Sequence, residues 1–339
     1  MSKSISKLMA FLLLFSMIVV QGCGSTTQTS DKIKIAYIMD PSGRSNTDNT
    51  DVIAAFEEIK SYYDFDYTIY SAKDNDNVKK QVKTCYNSDF DLIIGSSYIV
   101  NSELLSQKND YPNVNIALIG NNDSASLSMS IDFKTEESSF LAGALAASTS
   151  KTGIIGYVGG YSDDLVNYEV GYYAGAKTVN PNITVLSNYT NSYNNVTNGY
   201  QLAESQIARG ADIIYANCGA SALGVSNAVS EYDNVYLIDS DLYASDNSQH
   251  LLGSVKKDYK KAALYLIDSF INDNFVQNTT RCGIAYDMVD YDTTYLVSDD
   301  SKTMLNQFRS QIRQYSVPIP DTWDNYNNFN YYSYITTSN

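Results

Sequence analysis

The chain has a single histidine, His250, among 339 residues. That nearly excludes imidazole acid–base chemistry and histidine-rich metal sites. Carboxylates are abundant, with 38 Asp and Glu against 23 Lys and Arg. Asp239 and Asp241 follow the apolar run VYLID at its end and could serve as an acid–base pair on a glycosidic substrate. In so acidic a chain, however, most carboxylate pairs are solvated surface. Gly219-Ala220-Ser221-Ala222-Leu223 begins like a nucleophile elbow but lacks the closing glycine. No G-x-x-x-x-G-K-[ST] phosphate loop occurs. These residues describe a binding module rather than an enzyme, with no catalytic residues, no cofactor and no metal site expected.

The first residues carry a sorting signal. Lys3 and Lys7 precede an apolar run from Leu8 to Val20, shorter than the roughly 20 residues that span a bilayer. Its length and its small following residues fit a secretory signal peptide. Val20-Gln21-Gly22-Cys23 resembles the bacterial lipobox, so residues 1–22 are expected to be removed and Cys23 to carry lipid. Residues 23–31, GSTTQTSD after the cysteine, are polar and make a flexible tether. The formal net charge of −15 becomes −17 once Lys3 and Lys7 leave, which repels phosphate backbones and excludes a nucleic-acid partner. Cys85, Cys218 and Cys282 remain, an odd number in a chain too large to need a disulfide framework. One at least reads as a small buried hydrophobe; the sequence leaves pairing of the other two open.

Stepping outward to the elements that position these groups, short apolar runs alternate with amphipathic ones. Strands are expected at Lys32–Met39, Tyr67–Tyr70, Asp91–Gly95 and Val114–Gly120, with helices through Val52–Phe56, Val78–Tyr86 and Glu136–Thr149. The small residues of Phe140–Ala144 suit close helix–sheet packing. The pattern restarts with strands at Gly153–Gly159, Thr184–Asn188, Ala211–Tyr215 and Val235–Asp239, and helices at Val166–Val179, Tyr200–Ala208 and Ala222–Glu231. Helices at Tyr259–Phe270 and Ser301–Gln314 follow, and the Tyr/Asn-rich end from Trp323 has no clear period and reads as peripheral. Alternating strands and helices imply α/β lobes with parallel sheets covered on both faces, and ligands bind at the carboxyl ends of such strands.

Several ordered stretches resemble the basic membrane protein, or purine nucleoside receptor, family of ABC-transporter substrate-binding lipoproteins. They are Ser139–Ala144, Lys151–Gly160, Gly171–Lys177, Asn180-Pro181, Gly210–Ile214 and Asp239–Asp241, within a resemblance running from Lys32 to Pro320. The resemblance implies a type I periplasmic-binding-protein-like fold of two Rossmann-like lobes joined by three crossovers. Those are placed near Ile131, Gly253 and Ala285. Residues 32–131 with 254–285 then form one lobe, 132–253 with 286–320 the other, and 321–339 a C-terminal tail. It also implies a monomeric receptor, lipid-anchored on the extracytoplasmic face of the cell membrane. Such a receptor captures a nucleoside-like solute for an ABC permease and its ATPase. A receptor serving a membrane sensor, a binder of a different small solute, and a lipid-anchored hydrolase are the alternatives.

In that family an aromatic ring stacks on the base and charged groups hold the ribose. Tyr168 matches an aromatic position, Gly219 follows a strand where backbone must approach ligand, and Lys257 matches a family lysine. Asp239, or Asp241 in its place, would pair with Lys257 around a diol. A core or surface place is the lesser alternative for Tyr168, while for Lys257, beside Lys256, Lys260 and Lys261, a solvated basic face is the alternative. The family's first loop carries an aromatic followed by Asn; here Asp48-Asn49 keeps only Asn49, and Tyr98 is the candidate replacement ring. Where the family often has Asp, this chain has Gly120-Asn121.

Overall fold

The computed structural model describes residues 32–41, 43, 47–121, 126–163, 165–240, 249–314 and 318–330. The signal and tether segments with Cys23 lie outside them, as do Asp241 and residues 331–339.

The first sheet is built from β1 (Lys34–Met39), β2 (Asp66–Ser71), β3 (Leu92–Gly95), β4 (Asn115–Ile119), β5 (Met129–Phe133) and β11 (Thr279–Cys282). Its order is β11-β5-β4-β3-β1-β2, parallel throughout. The second comprises β6 (Ile154–Gly159), β7 (Thr184–Tyr189), β8 (Ile213–Asn217), β9 (Tyr236–Asp239), β10 (Leu251–Lys257) and β12 (Val289–Thr293). Its order is β12-β10-β9-β8-β6-β7, parallel except for the β10–β12 pair. Strands in such sheets are apolar on both faces because helices cover both. In β1, Ile35 and Tyr37 face one core cluster while Ala36 and Ile38 face another.

The helices are α1 (Thr47–Ile59), α2 (Asn75–Tyr86), α3 (Tyr98–Gln107), α4 (Thr135–Thr149), α5 (Val166–Val179), α6 (Val196–Ala208), α7 (Ala222–Val229), α8 (Tyr259–Ile271), α9 (Asp299–Arg313) and α10 (Trp323–Asn327). Side chains satisfy several first-turn amides, as Asp74 does for Asn77 (2.7 Å) and Asp258 for Lys261 (2.7 Å). None of the described helices is long and apolar enough to cross a membrane.

The chain passes between sheets at Lys134, at Asp258 and between Cys282 and Val289. The second passage corrects the expected one near Gly253. Strand β10 keeps pairing with β12 as far as Lys257, and the Asp258 cap then starts α8, so residues 254–257 belong to the second lobe. The passage expected near Ile131 also moves, because β5 stays in the first sheet to Phe133. The small residues of α4 likewise act differently from expectation. Their closest approach is to helix α5: a Cβ on Gly143 would lie 2.0 Å from the Tyr172 carbonyl oxygen, and one on Gly175 would lie 1.9 Å from that of Phe140. Backbone meets backbone here, and only hydrogen fits. The described part of the C-terminal tail is packed, with Trp323 5.1 Å from the Tyr173 ring on α5. Cys85, Cys218 and Cys282 are all buried, and none of the three is joined to another in a disulfide.

Candidate functional site

Where strand order reverses in a doubly wound sheet, the loops leaving neighbouring strands diverge and open a crevice at the strands' carboxyl ends. The reversal lies between β1 and β3 in the first lobe and between β6 and β8 in the second. A buried tyrosine sits at each. In the first lobe the Tyr37 hydroxyl donates to Asn49 Oδ1 (2.7 Å), which leaves the Ser96 hydroxyl to donate to Tyr37 (2.8 Å). Burial pushes the Tyr37 phenol well above its ordinary value, so it keeps the proton this geometry needs. Asn49 Nδ2 donates to Asp40 Oδ1 (3.0 Å) and to the Gly43 carbonyl (2.8 Å). Both amide hydrogens of Asn49 are thereby used inside the loop it closes.

In the second lobe Asn217 Nδ2 donates to the Tyr157 hydroxyl (3.2 Å), and the Asn217 carbonyl accepts from Gly160 N (3.0 Å). Next to this pair stand two exposed rings. Tyr161 and Tyr193, 42% and 40% exposed, meet edge to face with centroids 5.2 Å apart. Tyr193 is laid over the strand ends by its glycines. A Cβ on Gly160 would come within 2.2 Å of its ring, and one on Gly219 within 2.9 Å of its carbonyl oxygen. Gly219 also has φ +58°, a left-handed conformation that favours glycine. Buried Ser221, the serine of the elbow-like stretch, fastens the Tyr193 loop. Its Oγ accepts from Asn195 N (2.8 Å) and donates to the Ser192 carbonyl (3.2 Å), and its N donates to the Tyr193 carbonyl (3.3 Å).

Asp239 ends β9 and is buried, its Oδ1 accepting from Ser240 N (2.8 Å). It is in register with Ser254 of β10, so Lys257 lies about 10 Å further along the neighbouring strand. The Lys257 ammonium stands 5.6 Å from the centroid of the Tyr259 ring, which itself packs on Phe133 at 5.2 Å. Gly120 has φ +69°, so an aspartate there would be strained in the backbone, although a Cβ would meet the Tyr259 hydroxyl at an ordinary 3.4 Å.

At the hinge end of the crevice a cavity of about 570 Å³ opens between Thr47, Asp48 and Asp51 of α1, Ser240, Lys257 and the third crossover. That size falls within the roughly 300–1,000 Å³ of small-molecule sites. Burial, and secondarily Asp258, lifts the Asp51 carboxyl above its ordinary value. No cluster of potential metal ligands occurs among the described residues.

The seven candidate ligand residues thus separate. Gly219, Asp239 and Lys257 lie at strand ends facing the crevice region, and Tyr98, 75% exposed, begins α3 just after β3. Asn49 is a fastener beneath its loop. Tyr168, the third residue of α5 and 8% exposed, packs in the core cluster. Asp241 lies outside the described residues. Tyr161 and Tyr193 escaped the sequence reading. The available signal was Gly159-Gly160-Tyr161, a strand ending in paired glycines with a ring directly after them.

Two α/β lobes built on largely parallel sheets and joined by three crossovers define a fold of the periplasmic-binding-protein type. A solute-binding protein of an ABC transporter system from Aeropyrum pernix K1 has the same fold, with TM-score 0.71 at 17% identity over 87% of this chain and 96% of that one. The chain belongs to the Bmp family, ABC transporter substrate-binding protein PnrA-like, whose family model matches residues 42–322. Among curated relatives it is 27% identical to the CD4+ T-cell-stimulating antigen of Listeria monocytogenes, over 63% of this chain and 66%, just under two thirds, of that protein. It is 25% identical to the ABC transporter nucleoside-binding protein BmpA of Lactococcus lactis subsp. cremoris, over 76% of this chain and 78% of the relative.

Proposed function

We propose that this protein is a lipid-anchored extracytoplasmic receptor that captures a nucleoside-like solute between its lobes and passes it to an ABC permease, without itself catalysing a reaction. The observation that carries this reading is the edge of the second sheet. At its carboxyl end the exposed Tyr161 and Tyr193 rings follow β6 and β7, buried Asp239 ends β9 two strands from β6, and Lys257 lines the cavity. Stacking on one ring contributes about 1–3 kcal/mol whatever the base, so it supplies affinity, and the polar groups supply identity. Asp239, or Asp241 in its place, accepts from ribose hydroxyls, and Lys257 donates. Tyr98 closes the site from the first lobe in place of the missing first-loop aromatic. The name of the Lactococcus relative supports the ligand class. Membership of the Bmp family supports the permease partner, and Val20–Cys23 supports the anchor.

The test is a thermal-shift panel of nucleosides, free bases and sugars, with native mass spectrometry of co-purified ligand. Nucleosides should raise the melting temperature more than either component alone. Tyr193→Ala and Asp239→Asn should each weaken binding by roughly 10- to 100-fold with the fold intact. A response to sugars alone, or variants that bind as tightly as the native chain, would place the ligand or the site elsewhere.

A further inference from the structure

Three passages of chain join the lobes, and one side chain beside them meets three carboxylates. Arg281 lies on β11 of the first lobe. Its Nε donates to Asp132 on neighbouring β5 (2.9 Å), which keeps that contact within the lobe. Its Nη2 donates to both carboxylate oxygens of Glu136 (3.0 and 3.2 Å), on the first turn of α4, the helix that follows the first crossover and packs in the second lobe. Its Nη1 donates to Asp321 (2.8 Å). Asp321 begins a segment that is fixed to the second lobe by aromatic contacts. Trp323 and Tyr326 lie 5.1 and 6.3 Å from Tyr173 on α5, and Phe329 lies 6.4 Å from Phe140 on α4. The adjoining residue, Glu137, ties the first crossover to the third by accepting from Ile284 N (2.7 Å).

We propose that residues 318–330 form a strap that governs how freely the lobes move about the hinge, with Arg281 as the positioning residue through which the strap acts. The strap is anchored on the second lobe by its rings and reaches the first lobe through Asp321 and Arg281. Rotation of the lobes must turn β11 relative to α4, and that motion displaces the guanidinium either from Glu136 and Asp321 together or from Asp132 on its own lobe. A planar fork of donors holds both carboxylates in fixed directions, which a single ammonium cannot do. The strap therefore biases the arrangement of the two lobes without touching ligand, and this holds whatever the solute is.

Amide hydrogen exchange, read by mass spectrometry on the ligand-free chain, tests the proposal through three variants: Asp321→Asn, Arg281→Lys and a chain ended after Pro320. Asp321→Asn should speed exchange roughly three- to tenfold in residues 131–137 and 282–289, while β3 and β8 keep native protection. Arg281→Lys should act in the same direction, and the shortened chain most strongly. If the shortened chain does not fold, the two point variants decide the matter. Acceleration confined to residues 318–330, or spread evenly over both sheets, would overturn it. The first would mean a strap that detaches without freeing the hinge, and the second a general loss of stability.

Discussion

Replacing Gly175 with alanine tests whether direct backbone contact positions α4, the helix that carries Glu136 and Glu137 to the hinge. The added Cβ would lie 1.9 Å from the Phe140 carbonyl oxygen and 2.7 Å from its carbon, where ordinary contact begins at 3.4 Å. The helices must part by about 1.5 Å, because a backbone carbonyl inside a helix cannot rotate aside as a side chain can. Parting strips contacts from Phe140, Tyr172 and Ala176, all fully buried. Overpacking costs about 1–3 kcal/mol and sometimes more, and this case belongs at the upper end. Alanine returns up to about 1 kcal/mol of helix propensity. At about 2.1 cal/mol/K per residue over some 300 folded residues, a net loss of about 2–3 kcal/mol lowers the melting temperature by roughly 3–5 °C. Gly153→Ala is the control. It has φ +72° but nothing within 4 Å of the added Cβ, so it carries conformational strain alone, about 1–2 kcal/mol. Calorimetry on both variants separates the effects. A Gly175→Ala protein that melts at or above the native temperature would refute the argument, since propensity would then outweigh the contact.

Two further outcomes follow from Glu136 and Cys23. Burial lifts the Glu136 carboxyl from its ordinary 4.5 to about 7, against the pull of Arg281 and with Glu137 and Asp321 adding to the lift. The folded value lies above the unfolded one, so between about pH 4.5 and 7 the folded chain holds a proton that the unfolded chain has released. This group's contribution is full below that window and falls by on the order of 3 kcal/mol as pH rises through it. Denaturant unfolding of Glu136→Gln across that range should lack this fall, and an unchanged pH dependence would mean the carboxyl is not the titrating group. Cys23→Ser should move the protein from the membrane fraction to the medium, and continued membrane association would remove the lipid from the account.

Much of the fold was legible along the chain. The strands that became β1, β3, β4, β6, β8 and β9 are short apolar runs, and the restart near Gly153 marks the second lobe. Helix α3 was missed because its apolar residues do not gather on one face: Ile99 is partly exposed while Asn101 is buried, donating to the Ile119 carbonyl (3.0 Å). Strands β5 and β11 were missed because Ser130, Asp132 and Arg281 interrupt their apolar runs; Ser130 pairs with Ser128 (2.7 Å) and Arg281 with Asp132 on the neighbouring strand (2.9 Å), contacts that spacing does not reveal. Strands β10 and β12 were missed as well, β12 because Asp290 and Asp292 break its short run. The tail had no period because its order comes from rings resting on α5, a partner sequence cannot name.

The sequence by itself determined the composition of a binding module, the alternation that makes doubly wound lobes and the glycine positions that permit close approach. These follow from local propensity and from burial pattern, which each residue carries with it. Tertiary structure alone decided which side chains meet. It sent Tyr168 into the core and put Tyr161 and Tyr193 at the crevice, made Asn49 a fastener, and set Arg281 among three carboxylates. Exposure and partnership depend on residues distant in the chain, so spacing could nominate the candidates but not choose among them.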